Sequence, residues 1–598
     1  MRVGVDTGGT FTDVVAGNGT VAKVLSTPSD PSKAVTQGLD QAGGRPDVLA
    51  HGTTVATNAL LERRGGSVAL VTTEGFRDVI EIARQDRPSL YDSFVDRPEP
   101  LVPRDRRLEV RGRLDSSGGE LVPLALPDLA VPDGVDAIAV CLLHADLNPA
   151  HEQAVAAQLI ASGLDVTCSH EVSPEFREYE RTVTTVVNAY LRRPCRAYLR
   201  RLASVAEEVL VMTSAGGLIP LAEASDRPAR LLLSGPAGGV LAAAAAAEAA
   251  GFSDAVTLDM GGTSTDVCLV RGGLPEPAPQ RLVGGLPVRL PSLDIHTIGA
   301  GGGSIARVDP GGALAVGPES AGAEPGPACY GRGGTRATVT DADLLNGRIP
   351  AGSAFPGLDR LDVDAARQAM AAAGVDAQGV ISVVDANMVQ AIRAVTVERG
   401  VDPRALALVA FGGAGPLHAC ALADALAMPA VVVPPRAGVL SAAGLLAAPR
   451  QEDRVQSWPR PLDHAGLDDA LGALAREAAA AIGAAGAVDS DDIAARTRVD
   501  CRYAGQSHEL TVASVDAFED EHRRRNGYAR PGAPIEVVAL RASARQASPV
   551  ALGDLPAAGQ RRAAEGPAVL AEPDCTVWLE AGWRADVHPS GSWVLTRR

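Results

Sequence analysis

Aspartate, glycine and threonine recur in one spacing at two places in the chain. Asp6-Thr-Gly-Gly-Thr-Phe-Thr-Asp-Val-Val and Asp259-Met-Gly-Gly-Thr-Ser-Thr-Asp-Val-Cys agree at seven positions in ten. These residue types, in this order, suit a polyphosphate. Glycines let main-chain N–H groups approach phosphate oxygens with no side chain between them, threonine hydroxyls add donors, and an aspartate at a strand end can hold hydrated Mg²⁺. The candidate phosphate cradle is therefore Gly8, Gly9, Thr10 and Thr12 with Gly261, Gly262, Thr263 and Thr265. Asp6 and Asp259 are the candidate metal-positioning groups. Asp13 and Asp266 either orient the loops and assist proton transfer or act as plain turn caps. One copy reads equally well as hairpin punctuation; two copies, each after a short apolar run, point to two loops facing one ligand.

Other reactive patterns fit less well. No GxxxxGK[ST] phosphate loop is present, and a dinucleotide fingerprint forced onto Gly299-x-Gly301-x-x-Ser304 lacks its third glycine. Gly301 and Gly302 remain candidates for a nucleotide-contacting loop. The ten histidines form no H-x-H or H-E-x-x-H, and no G-x-S-x-G elbow occurs, so neither a zinc hydrolase nor a serine hydrolase has its usual groups. Lysine occurs only at Lys23 and Lys33, which argues against any mechanism with a central lysine. His51, Thr53, Thr54 and Asn58 precede or open a helix and are candidates for a substrate or phosphate, with helix capping as the other reading. Arg84 and Arg87 could grip a carboxylate as a fork, or belong to a solvated ion-paired loop. His296 and Glu324 are further pocket candidates.

These residues need a scaffold. At 598 residues the chain is long enough for two to four domains, and its 46% hydrophobic and 21% charged residues describe a globular protein. A net charge of −17 argues against nucleic acid and acidic membranes. Eight scattered cysteines without a close pair read as reduced, buried thiols. Asp6 and Asp13 interrupt any signal peptide, and no apolar run is long enough to span a bilayer, so the cytoplasm is the expected compartment. Strands are expected at 2–5, 11–16 and 21–25, with a tight turn over 6–10, and the strand–turn–strand pattern returns at 255–271. Residues 68–72 and 137–143 read as strands; 149–161, 178–199 and 465–485 read as helices. Beyond 450 the pattern shifts to alternating strands, as in a separate C-terminal module.

The order of DTGGTFTD, DMGGTSTD and a later glycine loop, FGGAGPLHA (411–419), resembles the ATPase core shared by actin, sugar kinases and heat-shock ATPases. More closely, the chain resembles the hydantoinase A/5-oxoprolinase family nearly end to end. The matching stretches are HGTTVATNALLERRG (51–65), SHEVSPEFREYERTVTTVVNAYL (169–191), SGPAGGV (234–240), IGAGGGSIARVD (298–309), AEPGPACYGRGG (323–334), VTDADLLNGRI (339–349), CRYAGQSHELTV (501–512) and EGPAVLAEPDCTVWLEAGW (565–583). Two stretches depart from it: 541–566 is short, and the 212–217 loop is less polar.

The resemblance implies an α/β, duplicated actin-like ATPase core with halves at 1–180 and 181–450 and a β-rich module at 451–598. It implies ATP and Mg²⁺ as cofactors, with Gly412, Gly413 and Gly415 in an adenosine loop. It further implies an ATP-dependent subunit that phosphorylates a cyclic amide carbonyl (a hydantoin, 5-oxoproline or relative) to drive ring opening, in an oligomer with a hydantoinase B-type partner. The subunit of an ATP-dependent acetone or acetophenone carboxylase is the alternative within the same chemistry; an actin-like switch or chaperone is the alternative outside it.

Overall fold

The computed structural model describes residues 1–27, 30–85, 88–126, 129–353, 360–484, 492–556 and 559–598. Two large mixed sheets organise it. In the first, strand Arg2–Thr7 lies between antiparallel Phe11–Ala16 and parallel Val48–Thr53, which is followed outward by Glu208–Met212. In the second, Ala255–Met260 lies between antiparallel Thr265–Arg271 and parallel Ala407–Phe411. The duplication therefore extends past the decapeptides. In each half a hairpin is followed in space by a parallel strand and then a helix, Val55–Leu61 in the first and Gly415–Ala425 in the second.

The alternation in Val3-Gly-Val5 explains how the halves meet. Val3 and Val5 are fully buried in the core of the first half. Gly4 faces the other way, where an added Cβ would lie 2.1 Å from the Ala442 carbonyl of helix Leu440–Ala447. That helix also crosses helix Gly235–Ala249, with Gly444 packed against the Gly238 carbonyl so closely that a Cβ would sit 1.9 Å away. Small residues thus let two helices and a strand approach backbone to backbone between the sheets.

The hairpin strands lie where expected, except that strand Arg2–Thr7 runs through Asp6, which the sequence reading assigned to the turn. The strands beyond residue 450 do not stand apart. Arg450–Ser457, Ile493–Tyr503, Leu510–Val512 and Ile535–Gln546 continue the first sheet, joined through one register pair, Leu218 opposite Arg450. Trp583–Val587 and Trp593–Arg597 continue the second, and Trp583 and Trp593 are buried in its core. The first group also carries its own cluster, built on Trp458, Leu474, Tyr503 and Phe518 beneath helix Leu467–Ala484.

A buried ion network ties this region to the first half. Glu175 accepts from Arg289 (2.8 Å) and Arg541 (2.8 Å), Arg541 also holds Asp500 (2.7 Å), and Arg289 reaches Glu509 (2.7 Å). Charges this deep persist only when each has a partner. A smaller five-stranded sheet, centred on Val68–Thr73, occupies residues 68–168. Among the described residues one helix, Ala377–Arg399, is long and apolar enough to cross a bilayer, and its Val380, Ile381, Val384 and Met388 are buried in the core of the second half. All eight cysteines are unpaired and buried.

Candidate functional site

Each decapeptide folds into the same turn. The Gly8 amide donates to the Phe11 carbonyl at 3.0 Å, and the Gly261 amide to the equivalent Ser264 carbonyl at 3.1 Å. Register then forces a pairing of like charges. Asp6 stands directly opposite Asp13, and Asp259 directly opposite Asp266. Directly opposed side chains share a sheet face, so each hairpin presents two carboxylates together, an arrangement that destabilises a bare sheet.

The rows are completed differently in the two halves. Asp13 lies opposite Lys23 on the third strand, with an ion pair of 2.8 Å. Asp266 lies opposite Thr297, whose hydroxyl donates to it at 2.5 Å. Lys23 thus serves as a counter-ion beside the cluster, and its Nζ also donates to the Gly438 carbonyl at 3.2 Å. Its rarity in the sequence was the signal that could have drawn attention to it.

The hairpins face each other. A Cβ on Gly262 would come within 2.9 Å of the Thr10 hydroxyl, and Asp6 feels the charges of both Asp259 and Asp266. Burial, then Asp13 and Asp259, push Asp6 up to about 8; Lys23 opposes them. Burial, then Asp266, push Asp259 up to about 7, opposed by the Ser441 hydroxyl at 3.3 Å. Asp266 rises to about 6 through burial, and burial also raises Asp13 against Lys23. Two facing pairs of carboxyl groups, with Lys23 beside Asp13, make an acceptor-rich site of the kind a hard divalent cation satisfies with oxygen ligands. Mg²⁺ fits this donor set.

The glycines divide by environment. A Cβ on Gly9, Gly261 or Gly413 would meet nothing within 4 Å, so these three border open space. Gly412, at φ +79°, is pressed against Asp259 Oδ1 (2.4 Å from an added Cβ) and the Met260 carbonyl, which brings the 411–418 loop onto the second hairpin. Gly415 packs beside the Leu258 carbonyl. Gly301 and Gly302 are buried behind the second hairpin: the Gly302 amide donates to the Gly261 carbonyl at 3.0 Å, and a Cβ on Gly301 would overlap the Thr263 and Ser264 amides. They shape that hairpin from the rear. His418 ends the glycine loop, fully buried between Asp385 (2.6 Å) and Asp343 (3.5 Å). Burial lowers its pKa, but Asp343 and then Asp385 outweigh that and hold it at about 9.

Several candidates are placed elsewhere. The Thr12 and Thr265 side chains are fully buried, the first bonded to Ser26 (3.1 Å) and the second donating to the Ala300 carbonyl, while Thr10 and Thr263 lie at the hairpin tips. His51 is fully buried against Tyr198 (2.8 Å) and the Val5 carbonyl (3.2 Å), and burial drives it down to about 4. The Thr53 hydroxyl accepts the Val55 amide, and Asn58, exposed, reaches Thr54; both are local contacts of a seven-residue helix. Arg84 is engaged by Glu180 through both Nε and Nη2. Arg87 lies outside the described residues. His296 is half-buried opposite Val267, and the Glu324 side chain is 82% exposed beside Arg332.

Residues 2–162 match the hydantoinase/oxoprolinase N-terminal region and residues 181–454 match hydantoinase/oxoprolinase. The chain belongs to the hydantoinase/oxoprolinase family. It is 34% identical to the caprolactamase subunit alpha of Pseudomonas jessenii over 100% of this chain and 99% of that one. It is 36% identical to the acetophenone carboxylase gamma subunit of Aromatoleum aromaticum over 74% of this chain and 67% of that one. The crystal structure of the ATP-dependent caprolactamase from Pseudomonas jessenii superposes with a TM-score of 0.87 at 32% identity, covering both chains fully. Nucleotide-free acetone carboxylase shares the fold, with a TM-score of 0.77 at 22% identity over 100% of this chain and 99% of that one. The fold is the mixed α/β architecture of the actin-like ATPases, and the chain is an ATP-dependent enzyme of the hydantoinase, caprolactamase and carboxylase superfamily.

Proposed function

We propose that the chain is the ATP-dependent subunit of a cyclic-amide hydrolase, in which the twin hairpins hold Mg-ATP and deliver its γ-phosphoryl group to the carbonyl oxygen of a lactam or hydantoin-type ring. The observation that carries this reading is the pair of facing Asp-Asp rows on two hairpins of the same register and turn. Asp6 and Asp259 hold the metal, with Asp13 and Asp266 behind them fixing their orientation. The hairpin glycines and Thr10 and Thr263 cradle the phosphates; Gly412, Gly413 and Gly415 border the adenosine. Bound Mg²⁺ would neutralise phosphate charge during transfer. The protein's own task is alignment: in phosphoryl transfer most of the rate comes from positioning and electrostatics.

The carbonyl oxygen forms a bond to phosphorus as the bond to ADP breaks, leaving an activated carbon. Water adds there, the ring C–N bond opens as its nitrogen takes up a proton, leaving an acyl phosphate, and a second water cleaves that to carboxylate and phosphate. A B-type partner subunit supplies the groups for that second stage, a reading supported by the caprolactamase relative being named as an alpha subunit. The test is an ATPase screen with and without the partner, against 5-oxoproline, hydantoin, caprolactam and acetophenone, the last with bicarbonate. ADP formation coupled to opening of a cyclic amide is the expected result. Coupling only to ketone and bicarbonate would replace the hydrolase with a carboxylase, and ATP turnover that consumes no small molecule would replace it with a switch.

A further inference from the structure

The turn over 436–441, between strand Val431–Val433 and helix Leu440–Ala447, touches both aspartate hairpins and the glycine loop. The Ser441 hydroxyl donates to Asp259 (3.3 Å), the Gly412 amide donates to the Ala437 carbonyl (2.9 Å), and Lys23, the ion partner of Asp13, donates to the Gly438 carbonyl (3.2 Å). The three loops are thus referred to one short stretch of backbone. Arg436, buried at its start, has φ +58°. A non-glycine residue keeps that left-handed conformation only where its surroundings over-determine it.

Part of those surroundings comes from the far end of the chain. The Asp574 carboxylate accepts the Gly438 amide at 2.9 Å across 136 residues of sequence. The two segments pack so closely that a Cβ on Gly438 would lie 1.7 Å from the Asp574 carbonyl. Arg561 fastens the loop that carries Asp574 to the same stretch. It donates to Glu572 through Nε (2.8 Å) and Nη2 (2.6 Å), and to the Val433 (2.7 Å) and Pro434 (2.8 Å) carbonyls.

Gly438 therefore stands between two charged groups, its amide on Asp574 and its carbonyl on Lys23. Lys23 lies opposite Asp13, and Asp13 opposite Asp6, so contacts run without a gap from the C-terminal loop to the aspartates of the first hairpin. The second hairpin is completed differently, Asp266 ending on the Thr297 hydroxyl. A charge-assisted hydrogen bond is directional, and one that fixes the Gly438 carbonyl also fixes where the Lys23 ammonium can sit.

We propose that Asp574 is a positioning residue for the nucleotide site: by holding the Gly438 amide it fixes the carbonyl that anchors Lys23, and Lys23 holds Asp13 beside Asp6. This rests on the function proposed above, in which Asp6 helps to hold Mg²⁺, and gives the C-terminal region a part in that site. The experiment is calorimetric titration of the full chain with ADP, once with Mg²⁺ and once with a chelator. The quantity read is the gain in ADP affinity that Mg²⁺ confers, which only folded molecules report. Asp574→Ala should lower that gain about tenfold, the scale of one lost hydrogen bond to a charged group, and leave metal-free ADP affinity unchanged. Asp574→Asn keeps an acceptor oxygen for the Gly438 amide and should retain most of the gain. Lys23→Met should alter the gain, and in that background Asp574→Ala should do nothing more, because the path is already cut. An Asp574 that only stabilises the fold would lower Tm and leave the gain as in the wild type. An unaltered gain in Asp574→Ala or in Lys23→Met, equal losses in Asp574→Ala and Asp574→Asn, or effects of the two sites that simply multiply would overturn the assignment. A wild-type chain that binds no ADP, or binds it with no gain from Mg²⁺, would instead overturn the Mg-ATP reading on which the assignment rests.

Discussion

Asp6 and Asp259 have raised pKa values because the fold buries them and places each opposite a second carboxylate, an effect that Lys23 only partly offsets. Two expectations follow at this scale. Asp6→Asn and Asp259→Asn should each lower ATP turnover by ~10² to 10³, the usual cost of losing a transition-state electrostatic contact, with KM changing much less; native turnover in either variant removes that hairpin from the active centre. The second concerns pH. The folded values, about 8 and about 7, lie above the ~3.9 of an unfolded aspartate. The folded state retains protons that the unfolded chain has released, so this stability is full below about pH 4 and is lost as pH rises through 7 and 8. The Tm of the metal- and nucleotide-free chain should therefore fall between pH 6 and 9, less steeply in Asp6→Asn, and Mg²⁺ with ADP should protect more at pH 8.5 than at 6. A flat profile would mean that these carboxylates are ionised without cost. The aspartates were legible from spacing alone. Lys23, Ser441 and Thr297 were not, because they reach the carboxylates across strand register and from a distant helix rather than along the sequence.

At the scale of elements, the glycine loop after strand Ala407–Phe411 offers a paired test. Gly413 borders open space, so Gly413→Val should fold normally and raise the KM for ATP far more than it changes kcat, as expected when binding common to ground and transition states is lost. Gly412 has φ +79° and no room for a Cβ beside Asp259, so Gly412→Val should fail at the level of stability, seen as a lower Tm before any kinetic measurement. The reverse ranking would separate this loop from the nucleotide. Period-two alternation and Asn18-Gly19 made the first three strands readable, and helical spacing located Glu178–Leu202. The role of Gly301 and Gly302 was not readable: a glycine that touches ligand and one that touches the back of a hairpin look the same until the hairpin is built. For Arg84 the sequence left a substrate fork and an ion pair both open, and only helix Glu178–Leu202, which brings Glu180 against it, decides for the ion pair.

On the scale of the whole molecule, the change of pattern near residue 450 was visible, but its meaning was not, because hydrogen bonds between distant strands leave no local trace. Trp583 and Trp593 complete the core of the second half, and Arg541 and Glu509 neutralise charges buried in the first. A chain ending at residue 449 should therefore yield no cooperatively unfolding protein, by far-UV circular dichroism and thermal melting; a cooperative transition with Mg-ATP binding would make the C-terminal region a dispensable appendage after all. The closing strand also has a consequence for biosynthesis. Val433 pairs with Trp593, some 160 residues further along. At ~5–20 residues per second, the ribosome leaves the open edge of Val431–Val433 without its partner for roughly 8 to 30 s. Until then a three-residue, wholly apolar strand end faces solvent beside an unfinished core. Nascent chains stalled between residues 450 and 590 should accordingly be held by chaperones, while chains stalled with Trp593–Arg597 clear of the exit tunnel should be released.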